Sequence, residues 1–163
     1  MRARTKYEFL AKHVFFATLF GVFVADLVTK VLVRKNLELH ASIPLQFFSL
    51  THTQNVGSLF GFLGVYDVNW VFAIITAAVI VWICMTAIKS KMSKLEYFGW
   101  GLVVGGATGN LFDRILYGAV TDFIDLKIWP VFNVADSAIT VGLLLFITTY
   151  LSQDILRFSA IQK

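Results

Sequence analysis

Four long apolar runs constrain the fold of this chain more than any single motif does. They cover residues 13–33, 68–88, 97–112 and 131–153, and most approach the ~20 residues that a helix needs to cross a hydrocarbon core. Hydrophobic residues make up 58% of the chain and charged residues 15%, which is far from the composition of a soluble domain. The sequence therefore predicts an all-α membrane protein with four transmembrane helices in a single domain, 1–163.

The amino terminus has a basic tail followed by an apolar run, as a secretory signal peptide does. A cleavage site of the small-x-small kind should then follow the apolar run. The sequence "VADLVTKVLVRK" follows instead, so we expect the first helix to be retained.

The distribution of Lys and Arg predicts how the chain is oriented. Nine of these residues lie in the two terminal tails and the link between helices two and three, whereas four lie in the other two connections. Because cytoplasmic segments carry the excess of basic residues, both termini should be cytoplasmic and the segments 34–67 and 113–130 should lie outside. The net charge of +4 then indicates contact with inner-leaflet lipids and not with nucleic acid.

Five carboxylates are expected on the outer side of the membrane, in or next to the bundle. They are Asp26 in helix one, Asp113, Asp122 and Asp125 in the second outer connection, and Asp136 at the start of helix four. A carboxylate at the centre of a bilayer costs about 2.5 to 3.5 kcal/mol on insertion scales, so such residues usually face a polar cavity. Their convergence marks this face as a candidate site.

Two of the sequence features in these helices have purely structural explanations. Asp26 and Lys30 are spaced i, i+4, and an ion pair that lets the helix end tolerate lipid explains them better than catalysis does. Gly105 and Gly109 have the small-xxx-small spacing that allows two helices to approach closely, so packing is their expected role.

The third helix ends in a polar cluster that includes Asn110. At this end, Arg114 is placed to form a bidentate pair with Asp113 or Asp125, which would build a rigid rim.

The stretch "AVTDFIDLKIWP" suits a short strand or an interfacial turn. If it is extended, Asp122 and Asp125 point to opposite faces, so that one of them faces the bundle. In "FNVADS", Asn133 is a candidate N-cap and Asp136 would be the N3 residue, whose carboxylate can reach back to the cap in a capping box.

Two carboxylates that meet in a desolvated pocket are the minimal equipment for aspartyl hydrolysis. Because like charges close together cannot both ionise easily, such a pair retains a proton, so one acid can activate water while the other protonates the scissile carbonyl. A proton-coupled transporter would also place outward-facing acids in a bundle. The residues by themselves leave these two functions open.

Five motifs in order resemble those of bacterial lipoprotein signal peptidase, also called signal peptidase II. They are "DLVTK" (26–30), "NVGSLFG" (55–61), "GGATGNLFDR" (105–114), "VTDFIDL" (120–126) and "FNVADS" (132–137). The resemblance extends over about residues 13–153. The chain departs from the family's pattern at Leu27, where Gln is frequent, and at Leu59, where a small residue is common.

The resemblance implies an intramembrane aspartyl endopeptidase in the bacterial cytoplasmic membrane. It would remove signal peptides from prolipoproteins, cutting at the outer face just before a cysteine that carries diacylglycerol. The implied catalytic pair is Asp122 and Asp136. The implied supporting residues match the same motifs and are Asp26, Lys30, Asn55, Gly57, Asn110, Arg114, Asn133 and Ala135.

The family also implies a small extracytoplasmic β element in the first outer loop and a flap over the site. The expected partners are lipid-modified prolipoproteins and membrane lipids, and the protein is expected to act as a monomer. We expect no cofactor and no metal, since His and Cys lack metal-ligand spacing. Within the pair, the start of a helix favours an ionised Asp136, which leaves the shared proton on Asp122.

Overall fold

The computed structural model describes residues 2–56 and 69–161, with side chains for residues 8–56 and 69–151. Gly57, the expected flap and most of the second motif lie outside the described residues. The elements in chain order are α1 (Arg2–Asn36), β1 (Ser42–Pro44), β2 (Ser49–Asn55), α2 (Asn69–Lys89), α3 (Lys94–Tyr117), β3 (Val120–Asp125) and α4 (Val134–Ile161).

Three of the four helices contain stretches long and apolar enough to cross a membrane. These stretches are Glu8–Asn36, Asn69–Lys89 and Val134–Leu151, as judged by length and composition within the described residues. Helix α3 is not one of them, because it contains the glycines and polar residues of the third motif. A fourth crossing by α3 stays a prediction.

Helix α3 is longer than the apolar run 97–112, because its ends are specified by capping residues. The side chain of Ser93 accepts a hydrogen bond from the backbone N–H of Glu96, and the Glu96 side chain accepts one from the Ser93 backbone, which forms a capping box. At the other end Gly118 has a φ of 71°, a left-handed conformation that glycine adopts without strain. Hydropathy alone detects neither signal.

Close packing of α3 against α1 depends on glycine, as the small-xxx-small spacing predicts. A Cβ atom on Gly105 would lie 2.7 Å from the Leu19 carbonyl oxygen, and one on Gly109 would collide with the Asp26 carboxylate. These contacts show that α1 and α3 run in the same direction. The approach at Gly109 also allows a charged side chain to lie between the two helices.

The small sheet draws on both connections: β1 and β2 lie in the segment 34–67, where the resemblance implies a β element, and a third strand is added from the second connection. Its strand order is β1-β2-β3 with antiparallel pairing, and β3 comes from the connection between α3 and α4. Thr53 lies opposite Asp122, and the pairing register shifts between Leu50 and Thr53. The stretch 120–125 is therefore a strand, one of the two conformations that its sequence suits.

The apolar core lies at the end of the bundle away from the sheet, where α1, α2 and α3 meet. Its members are buried aliphatic and aromatic residues. They are Ala11, Phe15, Ile83, Ala87, Tyr97, Val103 and Val104.

Candidate active site

A buried polar network lies at the other end of the bundle, where α1, α3, α4 and β3 meet. Its members are hydrogen-bonding or charged side chains that are almost completely shielded from solvent. They are Asp26, Lys30, Asn110, Asp113, Thr121, Asp122 and Asn133. Burial of such groups is costly unless each has a partner, so their contacts define the site.

Asp136 lies in the first turn of α4 and forms the capping box that its spacing predicts. Its backbone N–H donates to the Asn133 side-chain oxygen at 2.9 Å, and the Asn133 backbone N–H donates to Asp136 Oδ2 at 3.2 Å. The amide of Asn110 donates to Asp136 Oδ1 at 2.8 Å. Both oxygens of Asp136 therefore accept a hydrogen bond from an N–H group of the protein.

Asp122 reaches the same place from the middle of β3. Asn133 Nδ2 donates to Asp122 Oδ1 at 2.6 Å, so Asn133 binds one carboxylate through its side chain and the other through its backbone. Burial, and after it the nearby charge of Asp136, raise the pKa of Asp122 to about 7. Hydrogen bonds from Asn133 and Asn55, together with the charge of Lys30, act in the opposite direction.

Asp26 and Lys30 form the ion pair that the i, i+4 spacing predicts, and they also contact the site. Lys30 Nζ lies 2.8 Å from Asp26 Oδ2 and donates to Asn110 Oδ1 at 2.8 Å. Because Lys30 can only donate, it orients the Asn110 amide so that its NH₂ group points to Asp136. Asp26 Oδ1 accepts from the backbone N–H of Ala135 at 2.9 Å and so holds the start of α4.

Asn55 and Arg114, two other expected site residues, approach from β2 and α3. Asn55 ends β2 and its side chain hydrogen-bonds Asp122. Arg114 is half-buried near the pair, and its charge interacts with those of Asp136 and Asp122. Its guanidinium carbon lies 5.9 Å from the centre of the Phe72 ring.

The expected pairing of Arg114 with Asp113 or Asp125 is wrong, because other cations hold these two acids. Arg34 donates to Asp113 Oδ1 at 3.0 Å, and Lys127 lies 2.7 Å from Asp125 Oδ2. Arg34 reaches Asp113 from α1, and Lys127 reaches Asp125 from the residues just after β3. Neither partner lies close to Arg114 along α3, so spacing within that helix does not predict them.

Arg34 is a residue of this network that the sequence analysis used only to infer topology. It lies four residues after Lys30 and eight after Asp26, so all three share one face of α1. Extending the i, i+4 series by one step would have indicated its position. Its partners, Asp113 and Thr121, depend on the tertiary structure.

Asp125, the second acid of β3, does not join the pair. Its oxygens accept hydrogen bonds from the Lys127 ammonium and backbone and from the Thr51 hydroxyl. The hydrogen bonds from Lys127 hold the pKa of Asp125 below its ordinary value. Asp125 therefore ties β3 to β2 and to its own turn.

An apolar cavity opens directly beside Asp136. Its volume is about 380 Å³, which falls in the usual range for small-molecule sites. Besides Asp136, it is lined by residues of α4 and of the β3–α4 connection. They are Leu126, Trp129, Phe132, Ser137, Thr140 and Val141. An apolar group bound there would lie next to a carboxylate.

The fold and the site together define a helical membrane protein with a pair of aspartates, Asp122 buried and Asp136 half-buried, at one end of its bundle. Residues 18–152 match the family described as signal peptidase (SPase) II. The chain belongs to the signal peptidase II family, as the five motifs indicate, and it is a peptidase of bacterial membranes.

Individual relatives agree with this assignment over most of their length. The lipoprotein signal peptidase of Halothermothrix orenii is 38% identical over 82% of this chain and 92% of its own. The enzyme of the same name from Photorhabdus laumondii is 42% identical over 82% and 85%. A solved structure of a bacterial membrane enzyme superposes with a TM-score of 0.78 at 30% identity, over 84% of this chain and 92% of its own.

Proposed function

We propose that this chain is an intramembrane aspartyl endopeptidase that removes signal peptides from prolipoproteins, cutting just before a diacylglyceryl-modified cysteine. The observation that carries the aspartyl mechanism is the contact of Asn133 with both carboxylates, Asp122 and Asp136, inside a buried network. The family relationship supports lipoproteins as the substrate class.

The two acids take different roles because their surroundings differ. Asp122 is buried, with its pKa raised to about 7, so it holds the shared proton near neutral pH. Asp136 lies at the positive end of the α4 dipole and accepts two hydrogen bonds, so it carries the negative charge. Loss of the proton on Asp122 would leave two like charges in one buried site.

Hydrolysis then follows as a balanced pair of proton transfers. Asp136 takes a proton from a water molecule, whose oxygen attacks the scissile carbonyl carbon, while Asp122 gives its proton to the carbonyl oxygen. When the C–N bond breaks, the proton on Asp136 passes to the leaving nitrogen, and Asp122 recovers a proton from a hydroxyl of the tetrahedral intermediate. The products are a signal-peptide carboxylate and the free amine of the lipidated cysteine.

The other polar residues hold this geometry. Lys30 and Asn110 orient one oxygen of Asp136, and Asp26 holds the first turn of α4 through the Ala135 N–H. These groups exclude water from the back of the site, which strengthens their electrostatic effect on the pair.

The substrate's acyl chains explain why a peptidase would place its site at the end of a membrane bundle. The chains remain in apolar surroundings while the peptide reaches the pair, and the cavity beside Asp136 offers such surroundings. We therefore expect an unlipidated precursor to be cleaved poorly, and equal turnover of both forms would contradict this.

The distribution of basic residues supports a site at the outer face. The comparisons do not favour the transporter alternative.

The test is cleavage of a purified diacylglyceryl-modified prolipoprotein in nanodiscs. We expect Asp122→Asn and Asp136→Asn each to lower kcat by about 10³-fold or more while the protein stays folded. Asp125→Asn is the matched control, because it makes the same change in the same strand on a residue bound by Lys127. Near-parental activity in Asp122→Asn or Asp136→Asn would refute the pair, and a folded parent without cleavage would refute the function.

A further inference from the structure

The register of strand β3 must be fixed if Asp122 is to face the site. Side chains alternate between the two faces of a strand, so a slip of one residue would replace Asp122 by a neighbour. The pairing with β2 has an irregularity next to Asp122. Leu50 lies opposite Ile124 whereas Thr53 lies opposite Asp122, so two registers that differ by one residue meet within the same ladder.

Arg34 and Asp113 hold Thr121, the residue that precedes Asp122, at two points and are also bonded to each other. Asp113 Oδ2 accepts from the backbone N–H of Thr121 at 2.9 Å. Arg34 NH1 donates to Asp113 Oδ1 at 3.0 Å and to the Thr121 hydroxyl at 2.8 Å. The backbone and the side chain of Thr121 are therefore both fixed, one from α3 and the other from α1.

Burial makes these contacts strong and specific. The Asp113 side chain is 1% exposed and that of Arg34 is 16% exposed, with its guanidinium carbon 4.2 Å from the centre of the Tyr117 ring. A guanidinium can donate to two acceptors and stack on a ring at the same time, whereas an ammonium cannot.

We infer that Arg34, acting through Asp113 and Thr121, is a positioning residue that fixes the register of β3 and thereby places Asp122 against Asp136. The inference rests on the proposed function for its effect on catalysis. Arg34 touches neither the pair nor its hydrogen-bonding amides, so its effect is transmitted by the backbone of Thr121.

The first test compares Arg34→Gln with Lys35→Gln, the adjacent and exposed basic residue of α1. Because a misplacement of about 1 Å can cost ~100-fold in rate, we expect Arg34→Gln to lower kcat by about 10- to 100-fold with little change in KM. Lys35→Gln should keep the parental kcat. A lower melting temperature with parental kcat in Arg34→Gln would show a merely structural role and overturn the inference.

The second test separates displacement of Asp122 from a change in charge. Asp136 from α4, Lys30 from α1 and Arg114 from α3 are the charged groups that act on Asp122 or its partner. Removing the Arg34 cation by itself would raise the pKa of Asp122, whereas moving Asp122 out of its buried position lowers it. A carboxyl ¹³C NMR titration in nanodiscs should therefore give a lower Asp122 pKa in Arg34→Gln than in the parent.

This titration does not depend on turnover, so it distinguishes the two proposals. If the parent fails to cleave lipoprotein but Arg34→Gln lowers the Asp122 pKa, the function is refuted and the positioning role stands. An unchanged or raised pKa in Arg34→Gln refutes the positioning role whether or not the parent cleaves.

A change at Thr121 tests the same contact without altering charge, and it serves if Arg34→Gln does not fold. Thr121→Val removes the hydroxyl at nearly constant volume, whereas Thr121→Ser keeps it. We expect a loss of about tenfold in kcat for Thr121→Val and near-parental kcat for Thr121→Ser. The effects of Arg34→Gln and Thr121→Val should be less than additive, and full additivity would contradict a shared path.

Discussion

The interface between α1 and α3 has two ends that are built from opposite kinds of residues. At one end Phe15 packs with Tyr97 and Val104 in an apolar cluster. At the other end Asp26 is buried against Gly109 and forms an ion pair with the buried Lys30. The same pair of helices therefore joins by simple packing in one place and by charged contacts in the other.

This difference indicates which end was shaped by function. Apolar packing stabilises a helix pair without demanding particular partners, whereas a buried ion pair often contributes less stability than well-packed apolar residues would. A network that includes Asp26, Lys30 and Asn110 is thus a poor choice for stability alone. The following four changes test whether stability and activity separate between the two ends.

The largest effect is expected for Asp26→Asn. It leaves the buried Lys30 without its closest carboxylate, so we expect a loss of about 3 kcal/mol in the free energy of unfolding and at least ~100-fold in kcat. The double variant Asp26→Leu/Lys30→Met removes both charges and should recover stability but not activity. Activity in the stable double variant would show that the polar end is only structural.

Gly109→Ala should have the next largest effect. The added methyl group would collide with the Asp26 carboxylate, so we expect a loss of about 1–3 kcal/mol in stability and about tenfold in kcat. Gly21→Ala is the matched control, because among the described residues no atom from outside its own stretch of helix lies within 4 Å of its added Cβ. Unfolding in detergent and turnover in nanodiscs would measure the two effects, and equal behaviour of the two variants would refute the contact.

The pH dependence of turnover should show the proton held by Asp122. Its pKa is raised from 3.8 to about 7, so the proton is present below pH 7 and is lost above it. We expect kcat to fall by about tenfold per pH unit on the alkaline side. Since the folded protein binds this proton more tightly than the unfolded chain, this group's contribution to stability is full below pH ~4 and declines as the pH rises towards 7. A rate that is constant from pH 6 to 9 would contradict the assignment.

The smallest effect is expected at the apolar end. The Tyr97 hydroxyl lies 3.2 Å from the Ala87 carbonyl oxygen and 2.9 Å from that of Ser90, so Tyr97→Phe should cost about 1 kcal/mol in stability. Its kcat and pH profile should equal those of the parent. A changed pH profile in Tyr97→Phe would mean that the apolar end of the bundle influences the polar end. The two ends would then not have separate roles in stability and activity.

Features that depend on short spacings could be predicted from the sequence. The ion pair of Asp26 with Lys30 and the capping box of Asn133 with Asp136 were expected, and the structure shows both. Each involves residues within one turn of a helix, where the spacing alone determines which side chains meet. The apolar runs and the family motifs likewise indicated a membrane protein of the signal peptidase II family, which the comparisons confirm.

The tertiary structure decided which distant residues meet. Arg34, and not Arg114, binds Asp113, and the sheet takes its third strand from the second connection. Asn133 reaches Asp122 in β3, and Asn110 reaches Asp136 from α3. The acids and cations of this chain could form many different ion pairs, and the charges alone do not distinguish between them. The combination that forms depends on how α1, α3, β3 and α4 pack, because electrostatic and hydrogen-bond energies fall steeply with distance and angle.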